Sequence, residues 1–301
     1  MKINIFGVGR SGTKAIQLYL SYLLIKKEGK VRINYEPYYW MNRKTQQLNF
    51  EGIFHHITSN LSLNEGQLSK QHTNYLNSLI SGNKSVVTKF IRANGRIKAI
   101  NQIMQPDLTI VVIRDLHGVL NSLSKHGWDL LGENLVYPND WSRFLQEIKE
   151  KNIIPNQELE YCLNHITDRM DRNAFYWYIM NILAIDSHKY VNYYIEYSDI
   201  KLIEKIATQY NLLKKYYSIH DKRFTGSNIY NESFITEVHD VHNSRSIPQI
   251  GSYDVLSKNA KNIPLSKIIN TKNLNKDSND FYDYLNNNIK KKLLELNRNQ
   301  L

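Results

Sequence analysis

The sequence predicts an α/β fold in which a parallel β-sheet is covered by helices. Short apolar runs alternate with amphipathic stretches through the first half of the chain, which is the pattern of strand–helix–strand units. The most apolar run, LTIVVIR at 108–114, is continuous and does not alternate, as expected of a strand buried on both faces. With 42% hydrophobic residues, 13 Gly and 6 Pro in 301 residues, the chain has the composition of a folded protein.

The predicted elements begin with a strand at 3–6, a glycine-containing loop and a helix at 13–27. Hydrophobic periodicity then predicts strands and helices in this order: a strand at 31–35, a helix at 67–80, a strand at 85–91, a helix at 96–104, a strand at 108–114 and a helix at 116–126. An almost wholly helical stretch at 141–186, broken near Pro155, leads to a strand at 191–197 and a helix capped by Ser198 or Asp199. Beyond about residue 215 we expect polar loops and then a Lys-rich helix at about 280–298.

The length predicts one domain over residues 1–301, since single cores stop growing at roughly 250–300 residues. Within it we expect a helical insertion at about 125–190 and a C-terminal extension at about 215–301. The lone cysteine, Cys162, forms no internal disulfide and no multi-cysteine zinc site, and it is interpreted as a partly buried helix residue. With no run of 18 apolar residues and no signal-like N-terminus, we expect a cytoplasmic protein without a transmembrane segment.

The net charge of +11 points to an anionic partner but does not choose among nucleic acid, a membrane surface and a polyanionic small ligand. Nine basic and four acidic residues fall in 256–301, where a solvated face is the simpler interpretation. Contact with a membrane surface stays open.

The segment GVGRSGTK at 7–14, called the glycine-rich loop below, lies between the first strand and the first helix. Such a loop turns backbone N–H groups inward and lets a helix N-terminus face an anion. Its other residues add hydroxyl or cationic donors suited to phosphate or sulfate: Arg10, Ser11, Thr13 and Lys14. The order Thr13-Lys14 departs from the Walker A pattern, whereas the GxGxxG spacing fits a dinucleotide fingerprint with Glu36 as the ribose-binding acid.

A second segment, RDLHGVLNS, follows the strand at 108–114. Arg114 ends that strand and Ser122 lies eight residues later in the next helix. An Arg at the carboxyl end of a strand and a Ser two turns into a helix can converge on one anion at the edge of a parallel sheet.

Together, Arg10-Ser11-Gly12-Thr13 and Arg114 with Ser122 resemble the sulfotransferases that use 3′-phosphoadenosine-5′-phosphosulfate (PAPS), and in particular carbohydrate sulfotransferases of bacterial type. The similarity covers roughly residues 1–210 and includes YSDI at 197–200. It implies a three-layer P-loop-like fold, with PAPS as sulfuryl donor. It also implies that the 5′-phosphosulfate binds Arg10, Ser11, Gly12, Thr13 and Lys14, and the 3′-phosphate binds Arg114 and Ser122. Lys14 stands where Ser or Thr is usual, and Leu116 where Pro is usual.

Sulfuryl transfer is an in-line displacement in which the protein positions both partners, stabilises the leaving phosphate and removes a proton from the acceptor. Arg10 and Lys14 are expected to stabilise the leaving group, and no metal is required. The segment YEP at 35–37 looks like one in the carbohydrate sulfotransferases, which implies that Glu36 is the general base. The same similarity implies that the acceptor is a hydroxyl of a carbohydrate or glycolipid.

Two alternatives are kept. The first is a nucleotide-dependent kinase that uses the same loop with Mg²⁺. Asp115 lies near the position in the sequence where such a kinase has its metal-binding Asp. The second is a non-enzymatic nucleic-acid-binding protein, although we expect no nucleic acid partner. The role of Lys89, Arg92, Asn94 and Arg96 toward acceptor or cofactor stays open. No metal site is predicted, since the histidines lack a third ligand at useful spacing: His55, His56, His239 and His242, the last two beside Asp240.

Overall fold

The computed structural model describes residues 1–35, 37, 61–82, 85–126, 140–196, 199–212, 235–239 and 276–299. Six strands in this part of the chain form one sheet in the order β5-β4-β1-β3-β2-β6, and every neighbouring pair is parallel. The strands are β1 Lys2–Gly7, β2 Val31–Tyr35, β3 Ser85–Phe90, β4 Leu108–Ile113, β5 Tyr193–Glu196 and β6 Ile235–His239. The predicted α/β fold with a parallel sheet is confirmed.

Helices lie between these strands and after them. Those in the described residues are α1 Thr13–Glu28, α2 Lys70–Ile80, α3 Ile97–Met104, α4 Leu116–His126, α5 Asp140–Glu150, α6 Asn156–His165, α7 Arg169–Asp186, α8 Ile200–Gln209 and α9 Lys276–Asn299. A short 3₁₀ turn, Asn94–Arg96, precedes α3. The start of α2 is later than predicted because Ser69 caps it, accepting a hydrogen bond from the His72 N–H at 3.3 Å. None of these helices is long and apolar enough to cross a membrane.

Two hydrophobic clusters cover the two faces of the sheet, which makes the fold three-layered. Alternate residues of β1 divide between them: Ile3 and Ile5 belong to the cluster with α1 and α8, whereas Phe6 belongs to the cluster around α7. The central strands β1, β3 and β4 are therefore almost wholly buried. This explains the nearly continuous apolar sequence of β4.

The stretch predicted as a helical insertion contains α5, α6 and α7. The break predicted near Pro155 is confirmed, since the chain turns at Asn152, whose φ is 46°, and α6 begins just after Pro155. Trp177 and Tyr178 on α7 are fully buried, as expected. Cys162 is also fully buried, and this burial together with nearby Glu158 raises the pKa of its thiol to about 12. It is a core residue.

The prediction of polar loops from about residue 215 to 280 is wrong at two places. Residues Ile235–His239 form β6, which pairs with β2 at the edge of the sheet, with Ile33 opposite Val238. Five residues with polar neighbours carry too little periodicity to predict such a strand, and its partner β2 lies far away in sequence. Helix α9 also begins earlier than expected, at Lys276. Its buried side chains belong to the cluster around α7, so the C-terminal segment contributes to the main core: Phe281, Tyr282, Leu285 and Ile289.

Candidate anion-binding site

The two predicted anion-binding segments meet at one edge of the sheet. Strands β1 and β4 are neighbours, and the last residue of β1, Gly7, is in register with Val112 near the end of β4. Because the strands are parallel, the glycine-rich loop and the turn at 114–118, called the β4–α4 turn below, both leave from the carboxyl ends of these strands. This is the edge at which open α/β folds bind ligands.

The glycine-rich loop makes a tight turn between β1 and α1. A side chain at Gly7 has no room, since its Cβ would lie 2.7 Å from Thr13 Cγ2 and 2.8 Å from the Val112 carbonyl oxygen. Two residues have positive φ, Arg10 at 71° and Gly12 at 90°, and the Ser11 N–H donates to the Val8 carbonyl at 3.1 Å. The turn brings the chain directly into α1 at Thr13.

Among the described residues, no side chain caps the N-terminus of α1. Its N-cap residue is Gly12, and its first turn contains no acidic residue. The first N–H groups of any helix lack an acceptor within the helix, and the helix dipole makes this end positive. Next to it, the Ser11 side chain is buried and its hydroxyl has no hydrogen-bond partner among the described residues. An anion here would satisfy both groups.

The structure brings Arg10, Arg114 and Ser122 together. Arg114 Nη1 donates to the Arg10 carbonyl at 3.1 Å, and Arg10 Nε donates to Ser122 Oγ at 2.8 Å. All three side chains are half-buried. Arg10 thus links Arg114 to Ser122 through direct contacts, and the binding of one anion by Arg114 and Ser122 stays a prediction.

The β4–α4 turn is held by hydrogen bonds from several elements. Trp177 Nε1 on α7 donates to the Arg114 carbonyl at 3.2 Å. Asp115 caps α4, since its Oδ1 accepts from the Gly118 N–H at 2.7 Å, and Asn286 Oδ1 on α9 accepts from the Leu116 N–H at 3.1 Å. The Arg114 side chain packs against Gly118, where a Cβ would lie 2.7 Å from Arg114 Nε.

Other predicted site residues are placed less completely. Thr13 is buried and Lys14 is half-buried, both in the first turn of α1. Glu36 lies outside the described residues. The strand before it, β2, ends at Tyr35, and it pairs with β3, the strand on the other side of β1 from β4.

The end of β3 and the segment after it are more buried than their charge suggests. The side chains of Lys89, Asn94 and Arg96 are almost fully buried, and Arg92 is half-buried. Arg96 Nη1 donates to the Arg92 carbonyl at 3.0 Å, which indicates a structural role for that guanidinium. Asn94 differs, because neither polar atom of its amide has a partner within the described part of the chain.

Sequence reasoning missed the residues that hold the β4–α4 turn. Trp177 was expected only to fill the core, and nothing in the sequence singled out Asn286 or Gly118. The contacts of Trp177 and Asn286 join residues 63 and 170 positions apart, so no local pattern could have revealed them.

Burial also shifts the pKa of a histidine outside these two segments. His72 on α2 has a lowered pKa, chiefly because of burial and secondly because of the positive charge of Arg96. Among the described residues, no group of three or more His, Cys, Asp or Glu side chains could hold a metal ion.

Two comparisons with known proteins leave the site without a family. No protein-family model matches the chain, and no curated protein matches it.

Proposed function

We propose that the protein transfers the sulfuryl group of PAPS to a hydroxyl of a carbohydrate or glycolipid. The observation that carries the proposal is the contact of Arg10 with Ser122 beside Arg114, next to the uncapped N-terminus of α1. It supports two anion positions side by side at one edge of the sheet. PAPS carries anionic groups on both its 5′ and its 3′ side, so one ligand would fill both positions.

The roles of the side chains follow from their hydrogen-bonding chemistry. The N-terminus of α1 with Ser11, Gly12, Thr13 and Lys14 would bind the 5′-phosphosulfate and stabilise the charge that develops on the leaving phosphate. Ser122 accepts a hydrogen bond from Arg10, so its own O–H stays available to donate to an anion. Ser122 and Arg114 would bind the 3′-phosphate. Arg10 would connect the two positions.

The kinase alternative is weakened by Asp115. A magnesium-dependent kinase needs a carboxylate that approaches the ion, and one oxygen of Asp115, Oδ1, already accepts the Gly118 N–H, so only Oδ2 is left for that role. The reversed order Thr13-Lys14 also remains unexplained in that reading.

The test is a comparison of ligands by calorimetry and thermal unfolding. Adenosine 3′,5′-bisphosphate should bind more tightly than AMP, and at 100 times its Kd it should stabilise the folded protein by about 2.7 kcal/mol. Arg114→Ala should reduce its affinity to roughly that of AMP while leaving AMP binding little changed. Stabilisation by ATP or NAD without any by the bisphosphate would overturn the proposal. Tight, steeply salt-dependent binding of generic DNA in its place would favour the nucleic-acid alternative.

The general base is tested separately. Glu36→Gln should bind adenosine 3′,5′-bisphosphate as the unchanged protein does and lose about 10² to 10⁴ in turnover, the range for a general base. The measurement is transfer of labelled sulfate to a panel of sugars and glycolipids, with Glu51→Gln as a control outside the YEP segment. Unchanged turnover of the Glu36 variant would assign the base to another residue.

A further inference from the structure

The C-terminal helix α9 contacts the β4–α4 turn directly. Asn286 Oδ1 accepts the N–H of Leu116 at 3.1 Å, and both residues are buried. Leu116 is the first residue of α4, and a helix offers its first N–H no acceptor of its own. Asn286 supplies the acceptor in a place where the burial of both residues limits access of water.

The contact lies two residues from Arg114. On the other side of the turn, Trp177 donates to the Arg114 carbonyl, so α7 and α9 hold the backbone just before and just after Asp115. Arg114 in turn donates to the Arg10 carbonyl, and Arg10 donates to Ser122. A continuous series of hydrogen bonds therefore runs from α7 and α9 through the β4–α4 turn to the glycine-rich loop.

The identity of residue 116 makes this contact available. Leucine has a backbone N–H, whereas a proline at this place would have none. Proline would also fix φ at a value suited to the first residue of a helix. Here the turn has no such covalent restraint, and a hydrogen bond from a distant helix restrains it.

We infer that Asn286 is a positioning residue for the anion site, through which α9 fixes the β4–α4 turn and thereby Arg114. This inference rests on the proposed function for the identity of the anion, the 3′-phosphate of PAPS. Asn286 touches no ligand in this scheme. Its effect is therefore expected on ligands that carry a 3′-phosphate and not on those that lack it.

The experiment compares adenosine 3′,5′-bisphosphate with AMP by calorimetry in four proteins: the unchanged chain, Asn286→Ala, Asn286→Asp and Tyr282→Phe. Asn286→Ala should weaken bisphosphate binding about tenfold and AMP binding less than twofold, since one buried hydrogen bond is lost. Asn286→Asp keeps an acceptor at the same place, next to a helix N-terminus that favours negative charge, and should restore affinity to within about threefold.

Tyr282→Phe is the matched control. The Tyr282 hydroxyl donates to Asp171 Oδ1 at 2.8 Å, so its loss loosens the docking of α9 without touching Leu116. This variant should unfold at a lower temperature and keep the affinity ratio of the two ligands. An equal loss for both ligands in Asn286→Ala, or the same loss in Tyr282→Phe, would overturn the inference. If Asn286→Ala does not fold, Asn286→Ser replaces it, with the same expected loss.

A second measurement removes the hydrogen-bond donor, the N–H of Leu116. Leu116→Pro removes the N–H that Asn286 accepts, so adding Asn286→Ala to it should change bisphosphate affinity less than twofold further. A further tenfold loss would show that Asn286 acts by another route, which contradicts the inference. The unchanged protein tests the proposed function by itself. If it binds the bisphosphate no more tightly than AMP, the proposed function is wrong, whatever the variants of Asn286 show.

Discussion

The two strand-to-helix connections at the ligand edge differ in how the protein treats the helix that follows. After β1, the N-terminus of α1 receives no side-chain cap, because Gly12 stands at the capping position. After β4, Asp115 and Asn286 satisfy the N-terminus of α4 from within the protein. Neighbouring strands of one sheet thus lead into one helix whose N-cap residue offers no side-chain acceptor and one whose first turn receives two side-chain acceptors.

At the first connection an anion would be held by backbone groups, and at the second by side chains. The α1 end offers N–H groups, a helix dipole and the buried Ser11 hydroxyl. At the α4 end the N–H groups of Leu116 and Gly118 are already paired, and the side chains of Arg114 and Ser122 are the groups offered to a ligand. A backbone site accepts many phosphates, whereas a side-chain site with fixed geometry can select for one of them. We expect general phosphate affinity at the first connection and selectivity at the second.

Ligand affinity should fall most when an acidic residue is placed at the start of α1, as Asp115 is at the start of α4. Gly12→Asp places a carboxylate at the open end of α1, where it would repel any bound anion by several kcal/mol at short distance. We expect loss of binding of both AMP and adenosine 3′,5′-bisphosphate by about a hundredfold or more. Calorimetry measures it.

The control is Gly12→Asn, which has the same shape and similar tolerance of the positive φ of 90° at this position. The carboxylate should stabilise α1 by about 0.3 to 1 kcal/mol relative to the amide, because it interacts favourably with the helix dipole. The aspartate variant should therefore melt at the higher temperature and bind the more weakly. Equal binding by the two variants would contradict the view that α1 holds the anion.

The sequence was sufficient to predict the features that depend on neighbouring residues. The α1 and α4 boundaries, the glycine-rich loop and the buried central strands all follow from local patterns, and the structure confirms them. The sequence predicts Ser198 or Asp199 as the N-cap of α8. In the structure Asp199 caps the helix, and its Oδ1 accepts a hydrogen bond from the Leu202 N–H at 3.0 Å. The proposed roles of the loop residues stay predictions.

The rest depended on contacts between distant parts of the chain. The hydrogen bond from Leu116 to Asn286 joins positions 170 residues apart, and β6 is recognisable only by its pairing with β2. The motif with Arg114 and Ser122 gave no reason to include Arg10 in the same group, since direct contact depends on the positive φ of Arg10 and the direction of its side chain. Periodicity carries none of this information.

The next effect concerns the contact that joins the two connections. Arg10→Ala and Ser122→Ala each remove the bond of 2.8 Å between them. If Arg10 helps to orient Ser122 toward the 3′-phosphate, each variant should weaken adenosine 3′,5′-bisphosphate about tenfold, and the double variant should lose clearly less than the product. Affinities for AMP serve as the reference in the same titrations. If the loss of affinity in the double variant equals the product of the two single losses, Arg10 and Ser122 act independently, and their contact does not couple the two connections.

Ligand affinity should change least on substitution of Gly118, which makes room for the Arg114 side chain. A Cβ there would lie 2.7 Å from Arg114 Nε and 2.8 Å from Asp115 Oδ2, so Gly118→Ala forces both side chains to move. Alanine is the better helix residue by roughly 0.5 to 1 kcal/mol, and the displaced groups are the ends of flexible side chains. The free energy of unfolding should therefore change little or rise. Bisphosphate affinity should fall about threefold while AMP affinity stays the same.

Ser124→Ala is the matched substitution on the same helix, at an exposed position beyond the turn. It should gain a similar small amount of helix stability and leave both affinities unchanged. A loss of bisphosphate affinity in Gly118→Ala together with undiminished stability can arise only from a changed site, because a merely less stable fold would lower both quantities. If Gly118→Ala binds the bisphosphate as tightly as Ser124→Ala does, the position of the Arg114 side chain does not set selectivity. The expectation that the connection after β4 selects among phosphates would then be wrong.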